Sequence, residues 1–562
     1  MRDLLGECRI QDEALRRAGL QIWLGAEPTF TDRLSQETAW LSQVEGGEKQ
    51  ARARELLMAL SARLAEGGRL LRAIGRKYPG EEEARFCLGA LYRPREAPGT
   101  RGALDPAGLA GPPVPVPTPA EGERWFTVTP DPGVVEVNLA PAPDLASFAV
   151  HAEAVYAAAA EVGLSAERFR WNGQATDSGG GGQLTLGGPS PLESPFFRHP
   201  QLLPAMVRFF NRHPSLSYAF APDCVGSASQ GPRADEGVRE LFEELGVALD
   251  RLAGRPQLGP DELWAELAPL LVDASGNSHR AELNVEKLWN PYLAGRGRMG
   301  VLELRALRMP RTPERLLALG ALFRAVAARL AVSGYAEPLR DWGPELHDRA
   351  SLPFYLEQDL RVVLEDLGEH GFGLGEGLEA ELLAPVPETA RVEFGRATLE
   401  VRPAVDFWPL VGDVASQERA TARTVDSSSE RVELRITSPG APPGRLAVQG
   451  VAVPLEPGTG ATYLAAVRYR AFLPHPGIHP GLGPHDPLVV LWERRGESVR
   501  LELHGWRPGG GAYDALPQDA AEAERRRRER VVVRPGRFHA AERAPSPRLT
   551  FDLRRLTTAL PT

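Results

Sequence analysis

The chain has 562 residues, 43% hydrophobic and 25% charged, a balance usual for a globular protein and long enough for more than one ordinary core. Its formal net charge of -9, with a pI near 5.8, excludes a general nucleic-acid binder. Cys8, Cys87 and Cys224 are odd in number, far apart and without metal-ligand spacing; this excludes a disulfide framework and leads us to expect a reducing, cytoplasmic setting.

The opening MRDLLGECRIQDEALRRAG reads as a charged helix without a signal core, and we expect no apolar run long enough to cross a bilayer. LQIWLGAEPTF reads as a strand ending in a Gly-Ala-Glu-Pro turn that displays Glu27. A helix is expected from about Glu48 to Glu66, with Leu56, Leu57, Leu60 and Leu64 at helical spacing. Arg76, Lys77, Tyr78 and Glu81 then surround a Pro-Gly turn. Residues 95–122 are rich in proline and glycine and read as a loop or linker.

WFTVTP and GVVEVNLAP flank Asp131-Pro132-Gly133, a hairpin signal, and place Glu136 and Asn138 on one strand face. After the helix-like HAEAVYAAAAEVG comes WNGQATDSGGGGQLTLGG, whose glycines, Gly180 and Gly181 among them, allow backbone amides to approach a ligand. It fits neither the phosphate-loop pattern nor a dinucleotide fingerprint, and a flexible surface loop is the plainer reading. HPQLLPAMVRFFNRHPSLSYAF is expected to be helix then strand. SASQGPRADEG places Gln230, Arg233, Asp235 and Glu236 ahead of a helix whose apolar stripe includes Val238, Leu241, Leu245 and Leu249.

The most informative stretch is 276–310. Arg280, Glu282, Asn284 and Glu286 alternate with Ala281, Leu283 and Val285, and Glu303 and Arg305 alternate with Leu302, Leu304 and Ala306. Strand side chains alternate between faces, so two strands with one charged face are expected. Charged groups on a sheet face are costly to bury unless they pair or meet a ligand. Acids there suit a divalent cation and arginines suit phosphate, whereas a solvated outer face is the alternative for any single strand. The same spacing recurs at Glu400/Arg402 and Glu433/Arg435, so we expect several such strands to form one sheet with a polar concave side.

Thr312-Pro313-Glu314 opens a further helix. His347, Asp348 and Arg349 precede another, and a structural role for this histidine is the plainer one. From about residue 430 strands and turns dominate. His475, His479 and His485 share one loop, without the spacing that would support zinc, and ERRRRER continues a solvated helix.

Together, GAEPTF, YPGE, TPDPGVVEVN, LGGPSPLESPFFRHPQLL, SQGPRADE, GNSHRAELNVEKL, LELRALRMP, WGPELHDR, VRYRAF and IHPGLGPHDPL resemble a bacterial amidoligase family commonly joined to or encoded with transglutaminase-like proteins. The resemblance runs in one order across nearly the whole chain and covers the amidoligase part, without the transglutaminase-like domain of longer relatives. It implies the fold of glutamine synthetase and glutamate–cysteine ligase: α+β, a large antiparallel sheet with helices on one side, here with a C-terminal β-rich region. The expected divisions are 1–94 and 123–430 as the ligase-like core, 95–122 as a linker and 431–562 as the β-rich part.

The family implies ATP and Mg²⁺, and an acyl-phosphate attacked by an amine. Such chemistry needs acids for the metal and cationic donors for the phosphoryl group. The candidates for metal are Glu27, Glu136, Glu282 and Glu303. Arg280, Arg305 and Arg233 are candidates for phosphate or substrate carboxylate, with Asn138, Gln230, Gly180 and Gly181 at the cofactor. Substrates would be small-molecule or peptide carboxylates and amines, with partner proteins of the same pathway possible and neither nucleic acid nor membrane expected. Where relatives read DGRHTGTGGGNH this chain runs from Asn172 to Gln183 without histidine or arginine, Arg76 replaces a lysine, and GGRNYD becomes GGGAYD at 509–514. These departures leave two alternatives open: a ligase-fold protein that binds a peptide, nucleotide or partner without turnover, and a ligase with an altered substrate.

Overall fold

The computed structural model describes residues 1–33, 47–74, 86–95, 104–131, 133–255, 257–293, 297–410, 425–473, 478–542 and 546–556. The turn expected around Arg76, Lys77, Tyr78 and Glu81 lies outside them, as does His475.

Alternating apolar and polar residues build a nine-stranded sheet. Its order is Leu283–Asn284, Leu302–Leu304, Gly182–Gly187, Trp23–Phe30, Val134–Asn138, Arg124–Asp131, Phe86–Pro94, Ala65–Ile74 and Leu104–Gly108. Neighbours are antiparallel except the last pair, which makes the sheet mixed. Leu104–Gly108, within the stretch read as a linker, is its edge strand.

Register assigns the two faces. Leu24 pairs with Leu186, Ala26 with Leu184, Leu302 with Leu186 and Leu304 with both Leu184 and Leu283. All are buried and meet the helices Gly47–Leu64, Leu145–Glu161 and Pro313–Ser333. Opposite faces alternate along a strand, so Glu27, Thr29, Glu136, Asn138, Gln183, Thr185, Asn284 and Glu303 share the other face; their pairings are Glu27 with Gln183, Thr29 with Glu136, and Glu303 with Thr185 and Asn284.

Two of these helices start on side-chain caps. Asp144 accepts from Ser147 N–H at 2.7 Å, and Thr312 Oγ1 from Arg315 N–H at 3.2 Å with Pro313 in the first turn. Pro313–Ser333 is long and apolar enough to cross a membrane by length and composition, contrary to the expectation above. It is a core helix here, with 83% of its most apolar stretch buried. At Gly320 an added Cβ would stand 2.6 Å from Leu24, so only glycine lets helix and sheet approach this closely.

A second apolar cluster gathers residues from 390 to 553, between a six-stranded and a five-stranded sheet. The Glu400/Arg402 and Glu433/Arg435 strands belong to this six-stranded sheet, where they face one another as cross-strand pairs. They do not extend the nine-stranded sheet, so the single polar sheet expected to unite them is corrected. The spacing marked strands with paired charges, not membership of one sheet.

Three local expectations also change. Glu27 sits mid-strand rather than in a turn, because its backbone pairs with Gln183. Ser215–Tyr218 is a short helix instead of a strand, anchored where Asp359 accepts the Ser215 N–H at 2.9 Å. Of the strand expected from Arg280 to Glu286 only Leu283–Asn284 is extended. Asn284 Oδ1 accepts the Glu286 N–H at 2.8 Å and turns the chain into the helix Glu286–Trp289.

Candidate functional site

The polar face of the nine-stranded sheet collects charge from segments far apart in the chain. Glu27 comes from the Trp23–Phe30 strand, Glu136 from the Val134–Asn138 strand and Glu303 from the Leu302–Leu304 strand. Lys287, on the short helix after Asn284, reaches back with its ammonium 2.5 Å from Glu27 Oε1 and 3.3 Å from Glu303 Oε2. Arg305 Nη1 donates to Glu303 Oε1 at 2.5 Å. Asn138 donates to Glu136 at 2.8 Å, fixing that carboxylate.

Burial and charge set the ionisation of this group. Burial raises Glu27 to about 7; Lys287 opposes the rise, and repulsion from Glu303 and Glu136 adds to it. Burial also works against the charge on Glu303, but Arg305, Lys287 and His279 outweigh it and hold that carboxyl well below the usual range. Burial opposes the Lys287 charge in turn, and Glu27 and Glu303 overcome it, keeping the ammonium protonated. Among the described residues, Lys287 and Arg305 are the cations that meet Glu27 and Glu303 on this face.

The glycine-rich segment is a buried turn beside this face, not a surface loop. Thr29 Oγ1 donates to Gly181 O at 2.5 Å, while Gln183 and Gln230 both donate to Gly180 O, at 3.1 and 3.2 Å. Gly181 has φ of +84°, and a Cβ there would lie 2.8 Å from Gln183 Nε2 and 3.0 Å from Gln230 Oε1.

Glu282 and Arg233 fall elsewhere. Glu282 accepts from Ser217 Oγ and lies 3.8 Å from Arg233. Arg233, 1% exposed, holds Asp235 with two hydrogen bonds of 2.8 and 2.7 Å and donates to the Phe210 and Asn211 carbonyls. Next to it Glu236 accepts from Tyr218 and from His347, whose Nε2 lies 2.7 Å away. This network ties the chain around residues 210–236 to the segment around 347, and its guanidinium is spent on protein oxygens. Arg280 donates to Ser229 O at 3.4 Å.

Lys287 escaped the sequence reading, although a signal was present. Among 65 basic residues only Lys49, Lys77 and Lys287 are lysines. In a chain that uses arginine almost everywhere, a lysine beside a charged strand is a compact point charge where a planar fork would not serve.

Magnesium takes hard oxygen donors, often one or two carboxylates together with substrate phosphates. Glu27 and Glu303 are such donors, and the buried Glu303 Oε2 faces Lys287 without a formed hydrogen bond. Among the described residues, no group of three His, Cys, Asp or Glu side chains is placed to hold a metal ion by itself. Glu27 and Glu303 are carboxylate donors of the kind magnesium shares with phosphate oxygens.

Residues 4–101 and 116–554 match the family described as "Putative amidoligase enzyme (DUF2126)". No curated protein matches the chain.

Proposed function

The chain belongs to the family described as "Putative amidoligase enzyme", and on that premise we propose that it joins a carboxylate to an amine at the expense of ATP, with the polar sheet face as the reaction site. The observation that carries this reading is the convergence of Glu27, Glu136, Glu303, Lys287 and Arg305 on one face of one sheet. In this reaction a carboxylate oxygen bonds to the terminal phosphorus of ATP and ADP leaves. The amine then attacks the acyl carbon, phosphate departs and the amine loses a proton.

Such a transfer depends on placing cations against developing charge and keeping water out. Among the described residues, Lys287 and Arg305 are the cationic groups at hand, each held in position by Glu303. Glu27 and Glu303 would hold magnesium, which when bound supplies charge neutralisation at the phosphoryl oxygens. Asn138 keeps Glu136 oriented, and Gln183 and Gln230 fix the glycine turn that borders the face.

The alternative reading, a binding protein without turnover, draws on one feature: the glycine turn offers no histidine or arginine, and Gly180 and Gly181 are engaged by neighbouring side chains. Trapping the activated acyl group with hydroxylamine separates the two. The expected result is ATP-dependent hydroxamate from one member of a panel of amino acids and short peptides, abolished in Glu303→Gln and reduced at least tenfold in Lys287→Met. Absence of both hydroxamate and ADP across the panel, with nucleotide or peptide still bound, overturns the ligase reading.

A further inference from the structure

A cleft of about 990 Å³ opens between the first core and the C-terminal sheets. That is at the large end of small-ligand cavities. Eleven arginines and seven aspartates or glutamates line it, a positive surplus in a chain whose formal net charge is -9. Most of the acids are already engaged. Asp223 lies 2.8 Å from Arg170 and 2.9 Å from Arg308, Asp406 holds Arg468, and Glu524 holds Arg527 and Arg528.

Three guanidiniums in the lining have no carboxylate within ion-pair distance among the described residues. Arg315 starts the Pro313–Ser333 helix, and its buried Nη1 has no hydrogen-bond partner. Arg431, 2% exposed in the six-stranded sheet, donates to the His347, Asp348 and Ser351 carbonyls and to Ser351 Oγ, leaving Nε unpartnered. Arg530, 9% exposed and just beyond the Ala520–Glu529 helix, donates to His504 O. Burial lowers all three guanidiniums from their ordinary value, Arg315 to about 10. A buried cation without its counter-ion is costly, and a bound anion relieves that cost.

We propose that this cleft binds an acidic peptide, with side-chain carboxylates seated on Arg315 and Arg530. The two guanidiniums come from separate elements, the Pro313–Ser333 helix and the chain just beyond the Ala520–Glu529 helix, and each lacks a carboxylate partner of its own among the described residues. Trp408, Phe472 and Leu503 supply apolar wall in the same cleft, which suits the backbone and methylenes of a peptide. Arginine is also the cation whose planar fork matches a carboxylate with paired hydrogen bonds.

The test is fluorescence anisotropy of labelled tetraglutamate with the full chain, against tetraglutamine, with inorganic tripolyphosphate as competitor. Tetraglutamate should bind, tetraglutamine should not, and Arg315→Gln and Arg530→Gln should each weaken binding at least tenfold. The two variants give independent readings, with circular dichroism checking the fold of each. Equal binding of the two peptides, unchanged binding in both folded variants, or displacement by tripolyphosphate at a lower concentration than by unlabelled tetraglutamate overturns the assignment. Peptide binding without any hydroxamate would leave this site standing and remove the ligase reading; hydroxamate from a neutral acid without tetraglutamate binding would do the reverse.

Discussion

Lys287→Met removes the ammonium lodged between two buried acids, Glu27 and Glu303. Glu303 is fully buried, and the side chains of Glu27 and Lys287 are 12% and 21% exposed, so water screens little of the interaction. Coulomb attraction at 2.5 and 3.3 Å amounts to roughly 7 and 5 kcal/mol at an effective dielectric of 20, before the cost of desolvation. The net loss on deleting one partner of a buried pair is smaller, about 3–5 kcal/mol, because it leaves an uncompensated charge. Methionine keeps most of the stem's volume, so the loss is electrostatic. Urea unfolding followed by tryptophan fluorescence reads it. Adding Glu27→Gln should restore about half, because the surplus carboxylate then no longer ionises. A Lys287→Met variant within 1 kcal/mol of the parent, or a double variant less stable than the single, would refute the buried-cation argument.

Glu282 offers a pH test away from that face. Burial raises it to about 7, against the attraction of Arg233. Its folded value exceeds its ordinary one, so the folded state binds the extra proton and stability from this group falls as pH rises from about 4.5 to about 7. The difference in stability between Glu282→Gln and the parent should therefore shift in favour of the variant by about 3 kcal/mol across that window; a difference independent of pH contradicts the assignment. Arg233→Met should destabilise by about 3–5 kcal/mol in the same urea assay, since it leaves Asp235 and Glu282 without their cation, and a variant as stable as the parent would return Arg233 to the list of ligand-binding groups. Gly181→Ala should cost about 1–3 kcal/mol from its positive φ and its contacts with Gln183 and Gln230; an unaffected urea midpoint would mean that the turn is free to move.

The sequence disclosed part of the polar face through its period-two pattern, because Glu136, Asn138 and Glu303 lie in strands whose opposite residues are apolar and buried, whereas Glu27 was read as part of a turn. It could not disclose which strands are neighbours. Glu400 and Glu433 carry the same spacing as Glu303, yet pairing partners thirty or more residues away place them in another sheet. Local side-chain bonds also override alternation: Asn284 captures the Glu286 N–H and ends the strand, which is how Lys287 comes to point back at Glu27. Glu282 shares its spacing with Asn284 but lies outside the regular ladder, so its side chain turns to Arg233 and Ser217. The arginine cleft was illegible because Arg315, Arg431 and Arg530, far apart in sequence, line one cleft only in three dimensions.

A crystal structure with a non-hydrolysable ATP analogue and magnesium tests the central claim most directly. The account predicts the terminal phosphates against Lys287 and Arg305, with the cation between them and the Glu27–Glu303 pair. Phosphates seated in the arginine cleft, or a polar face that stays as it is while nucleotide binds elsewhere, would contradict it.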